Sequence, residues 1–216
     1  MTVLNSNSSE SSANELSYDD CIAGDHPTSG QLVARCYSAG DRTGHCIWWL
    51  EDGKPYLILK SIEGTSDQAW PESSPFQQIV CENVGAGGKP VLLGVGMAGK
   101  AHWSATIEGD LMTEAIAMDI ACRTAAVPER LGSAYWVPPA WSVTPKAENG
   151  WLLDHPDGIQ IAIDSIGNTP ILFEHQKLTV HPIIEPTQHQ RGQTYRWRYI
   201  VRPSGSVAPP TEPSNG

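Results

Sequence analysis

The stretch from Lys100 to Glu108 alternates without a break. Lys100, His102, Ser104, Thr106 and Glu108 take one parity; Ala101, Trp103, Ala105 and Ile107 take the other. That period belongs to a half-buried strand and excludes an amphipathic helix, which needs apolar residues every three to four positions. The same signal returns from Ala115 to Arg123, where Ile116, Met118, Ile120 and Cys122 oppose Ala117, Asp119, Ala121 and Arg123. It returns again near the C-terminus, where Tyr195, Trp197, Tyr199 and Val201 oppose Thr194, Arg196, Arg198 and Arg202.

Shorter runs extend the pattern. Segments 31–37, 45–51, 55–62, 77–81, 90–95, 133–137, 158–164, 170–174 and 177–183 read as strands between turn signals. Asp52-Gly53 is a strong hairpin signal, and Gly109-Asp110 and Ile166-Gly167-Asn168-Thr169 supply further turns. Prolines between Val127 and Pro145 predict loop there. Only segment 110–123 carries a weak helical composition, and its alternation assigns it to strand. The fold class is therefore mainly β, an antiparallel β-barrel or β-sandwich. One domain over residues 17–202 suits the 216-residue length. The Ser/Asn-rich segment 1–16 and the Pro/Ser-rich segment 203–216 are expected to be disordered tails.

Composition narrows the partners. The 14 basic residues against 24 acidic ones give a net charge of −10. Such a chain repels nucleic acid and anionic lipid. No apolar run is long enough to span a bilayer, and residues 1–15 do not read as a signal peptide. A cytoplasmic location is the expectation. The five cysteines are irregularly spaced with no close pair, which points to reduced, buried thiols rather than a metal site. Adjacent His45 and Cys46 face opposite sides of a strand and make poor co-ligands. His26, His155 and His181 each precede proline and form no metal-binding spacing. No cofactor or metal is expected.

Three places could carry chemistry. Gly94-Val95-Gly96-Met97-Ala98-Gly99-Lys100 matches a dinucleotide fingerprint and nearly a phosphate-binding loop. Ala101 lacks the hydroxyl a metal-bound phosphate needs, and the strand that follows offers no helix N-terminus, so a glycine turn is the better reading. His102, Ser104 and Asp119 would form a catalytic cluster if the two alternating strands pair with His102 beside Asp119. Cys122 would then be a core thiol. Arg196, Arg198 and Arg202 form a basic stripe suited to an anion or a partner. Among eight tryptophans, the adjacent Trp48-Trp49 must face opposite ways, so one could be exposed at a ligand or protein surface.

Residues 70–77 (WPESSPFQ), 96–104 (GMAGKAHWS), 119–123 (DIACR) and 131–135 (LGSAY) resemble a group of uncharacterised bacterial proteins. The resemblance implies a bacterial, cytosolic setting and no activity. The function expected is a non-catalytic β-rich domain that binds a small molecule or protein. The alternative is a small hydrolase-type enzyme working through His102 and Asp119.

Overall fold

A computed structural model describes residues 20–26, 30–84, 89–110, 114–147 and 149–205. Both expected tails, apart from residues 203–205, and the glycine run 85–88 lie outside the described residues. Fifteen strands follow one another: β1 (Asp20–His26), β2 (Gly30–Ala39), β3 (Arg42–Glu51), β4 (Lys54–Ser61), β5 (Phe76–Val84), β6 (Lys89–Ala98), β7 (Ala101–Asp110), β8 (Ala115–Thr124), β9 (Ser133–Trp136), β10 (Ser142–Lys146), β11 (Gly150–Asp154), β12 (Gln160–Ile166), β13 (Ile171–Glu174), β14 (Lys177–Val180) and β15 (Gln193–Pro203). Among the described residues there is no α-helix, only a 3₁₀ turn at Pro186–Gln188.

All pairings are antiparallel and join the strands into one sheet, curled into a half-barrel. The order runs β10-β11-β12-β15-β8-β7-β6-β5-β3-β4-β9-β14-β13. β3 is a fork. One edge takes β2; the other is shared between β5, through Thr43 opposite Phe76, and β4, through residues 46–51. β1 extends from β2 and lies across β7. β15 comes late in the chain yet sits mid-sheet, between β12 and β8.

The alternation read from the sequence becomes burial. Along β7, Ala101, Trp103, Ala105 and Ile107 enter the core while His102, Ser104 and Glu108 face water. Trp103 meets Trp197 of β15 edge to face, with ring centroids 6.1 Å apart. Tight turns set the register. Asp52 and Gly53 both take positive φ, 49° and 76°, as a two-residue hairpin loop of this handedness requires. His175 and Gln176 do the same between β13 and β14 at 50° and 63°, without a glycine.

Two expectations need correcting. The β7–β8 turn is not at Gly109-Asp110: Asp110 still pairs with Ala115, so the chain reverses beyond it. Prolines did not abolish structure before residue 146: β10 contains Pro145, which an edge strand tolerates. The glycine fingerprint is, as expected, a turn between strands: β6 runs into a turn at Gly99-Lys100 and then strand β7, so no helix N-terminus faces it.

The strand glycines there serve close approach instead. A Cβ on Gly96 would fall 1.8 Å from the carbonyl oxygen of Pro75. Gln77 is skipped in the β5–β6 ladder, and its side-chain amide takes over both main-chain bonds of Met97, at 2.6 and 2.9 Å. Because the space beside Gly96 is closed by the Pro75 backbone rather than by a mobile side chain, Gly96→Ala is expected to lower unfolding free energy by about 1–3 kcal/mol, read as a fall in urea midpoint at unchanged slope.

Candidate functional site

The interior holds a chain of polar side chains drawn from three distant strands. Tyr199 of β15 and Tyr135 of β9 share a short hydroxyl–hydroxyl bond. The Tyr135 hydroxyl also bonds Nε2 of His45 on β3 at 2.6 Å. Ser133 accepts the indole N–H of Trp197 at 3.0 Å. The backbone N–H of His45 donates to Oγ of Ser61 at 2.8 Å, and that hydroxyl donates to Glu63 at 2.5 Å. Both tyrosines are fully buried.

Burial fixes the charge states. With no carboxylate against its ring, desolvation pulls His45 down to about 4, so the imidazole is neutral near pH 7. Desolvation raises Glu63 to about 7, against the opposing pull of its Ser61 bond and of Arg42. Burial also pushes the Tyr135 and Tyr199 hydroxyls up. A neutral imidazole beside two protonated phenols, closed off from water, holds strands together; it presents no substrate surface.

The places read from the sequence resolve as follows. His102 lies opposite Arg123, whereas Asp119 lies opposite Thr106. The two share the outer face but stand four positions apart, about 14 Å along the strands, so Asp119 does not orient His102. Asp119 instead receives both guanidinium nitrogens of Arg196. Ser104 is exposed beside His102 with no base in reach. Cys122 is buried, and burial lifts its thiol to about 12.

The arginine stripe is largely paired within the protein. Arg202 bonds Asp164 at 2.9 Å, and Lys146 bonds the same carboxylate. Arg198, between them on β15, is half-buried, with its backbone N–H bonded to Thr169. Trp49 is the buried member of the tryptophan pair, and its ring lies against Gly30. Trp48 is half-buried. Trp49 does contribute to a shallow depression of about 370 Å³ with Glu51, Asp157 and Gln160. Asp157 there is already held by Lys54 and Tyr56 at 2.7 and 2.8 Å. Among the described residues no three His, Cys, Asp or Glu side chains converge as metal ligands.

One surface was not anticipated. On the outer face of β5 and β6, Val80, Leu93, Val95 and Met97 are 38%, 37%, 50% and 51% exposed. Val80 lies directly opposite Leu93, and Val95 and Met97 continue along the same face of β6. His102, Ser104 and Thr106 of β7 border the row on one side, and Gln78 and Glu82 of β5 on the other. Beyond Phe76, the second edge of β5 pairs with no other described strand. Alternation could have shown that Leu93, Val95 and Met97 share a face; the surrounding glycines drew the reading to a turn instead.

Compared with known protein families, characterised proteins and solved structures, the chain matches none.

Two outcomes follow from the interior. Tyr199→Phe removes the hydroxyl that bonds Tyr135 and is expected to cost about 1–2 kcal/mol in a denaturant titration. Folded Glu63 keeps its proton to about pH 7, whereas the unfolded carboxyl releases it near 4.5. Folding takes up a proton between those values, so the Glu63 contribution weakens as pH rises. His45 runs the other way: its contribution is full above 6.5 and is lost as pH falls toward 4. The two slopes oppose each other in the wild type. Glu63→Gln removes one of them, so its melting temperature should gain on the wild type steadily from pH 4.5 to 7. A constant difference across that range would contradict the assignment.

Proposed function

We propose that the protein is a non-catalytic, β-rich interaction domain that docks another polypeptide through the outer face of β5 and β6. The observation that carries this reading is the exposed row Val80, Leu93, Val95 and Met97, bordered by polar residues. Large apolar side chains scattered singly are ordinary on a surface; a contiguous row with a polar rim marks a contact site. The hydrolase alternative finds less support, because its base and orienting acid stand four positions apart in register. The arginine stripe supports a partner reading only weakly, since Arg196 and Arg202 are neutralised by Asp119 and Asp164. A cytoplasmic setting belongs to the same reading and rests on free, buried thiols at Cys46 and Cys122.

A photo-reactive amino acid placed at Val95 tests the proposal in living cells. The expected result is a protein adduct of discrete mass at Val95 and none at Arg196. Equal, diffuse labelling at both positions, or none at Val95, would overturn it.

A further inference from the structure

We infer that a second copy of the chain pairs antiparallel along the open edge of β5, which borders this face, with its two-fold axis at Val80. The inference rests on the β5–β6 docking reading and gives it a partner.

The open edge comes first. A strand edge presents unpaired N–H and C=O groups that recruit another strand unless something prevents it. The other edge strands of this sheet carry such protection. β10 has Pro145 and Lys146. β13 is only 4 residues long. The register of β1 breaks between Ala23 and His26. Residues 78–84 of β5, QIVCENV, contain no proline, no lysine or arginine and a single charge, Glu82. Their ladder with β6 is regular from Gln78 to Val84. Among the described residues this is a long, regular edge without such guards.

Self-pairing fits the side chains at one register. An antiparallel pair related by a two-fold axis sets residues on the same face opposite each other. With the axis at Val80, Val80 meets Val80 of the second copy, Ile79 meets Cys81, and Gln78 meets Glu82. The Gln78 amide can donate to the Glu82 carboxylate, and no like charges oppose. Because Leu93 already lies opposite Val80 on β6, the outer face gains an unbroken row of Leu93, Val80, Val80 and Leu93 across four strands. Moving the axis to Ile79 or Cys81 sets Val80 against Gln78 or Glu82, and moving it to Glu82 opposes two carboxylates. The paired stretch ends near Gln78, because Phe76 already takes Thr43 of β3. Each copy carries a net charge of −10, so long-range repulsion opposes association and added salt relieves it.

Sedimentation of the full chain over a concentration series at low and high salt reads the state. The expected result is a concentration-dependent dimer that strengthens with salt, and that Val80→Lys reduces to monomer with an unchanged melting temperature. The register is read by mild oxidation in a Cys81→Ser background. Val80→Cys should give a disulfide-linked dimer, while Leu93→Cys, one strand away, should not. A wild type that stays monomeric at every concentration overturns the inference. So does a dimer that Val80→Lys leaves intact, or one in which native Cys81 cross-links and Val80→Cys does not. A monomer that still forms adducts at Val95 with a different protein sinks the second-copy inference alone, and loss of the Val95 adduct sinks the docking reading beneath it.

Discussion

The hydroxyl–hydroxyl–imidazole chain of Tyr199, Tyr135 and His45 is the contact on which the curled sheet depends. A sheet of this length left open would twist away from itself and expose its apolar face. Here β15 is pinned at one buried point to β3 and β9, which lie across the sheet from it in pairing order. The two hydroxyls and Nε2 of His45 are partnered there, while Nδ1 of His45 has no partner; breaking one of the made bonds would leave a further buried polar group unmet, at a cost of about 1–3 kcal/mol. Apolar packing can slide; this point admits few arrangements. Around it Trp197, Trp103, Ile47, Leu59 and Met118 fill the concave side.

The outer face follows different rules. Its charges are arranged in local pairs, the more exposed Arg196 with Asp119, which contributes modestly, and the largely buried Arg202 with Asp164. They also neutralise the basic stripe that the sequence displays so openly. What is left unneutralised is apolar: β5 and β6 extend past the fork in β3, so their outer face meets no second layer among the described residues.

Period-2 alternation made β7, β8 and β15 legible, down to which residues of each face the core. The Asp52-Gly53 turn was legible because its two residues tolerate positive φ. What failed was register. A turn at Gly109-Asp110 would place Asp119 opposite Lys100, one diagonal step from His102; the longer connection places it opposite Thr106. Alternation fixes the face of a residue and leaves its neighbour open, and a candidate triad depends on neighbours. β11 went unread because Trp151, Leu152 and Leu153 give a short apolar run without alternation. The buried polar chain was invisible for a related reason. His45, Glu63, Tyr135 and Tyr199 have no mutual spacing in the sequence, and pairing order alone brings them together.

The place of β15 has a consequence for synthesis. A chain emerging from the ribosome makes β8 and β12 long before the strand that belongs between them. Until residues 193–203 are available, two facing strands stand unjoined, and the interior lacks Trp197 and Tyr199. Hairpins can form as they emerge, but the half-barrel cannot close vectorially. β15, the last-made of the described strands, is their keystone, and a nascent chain stalled short of it is a set of open ribbons.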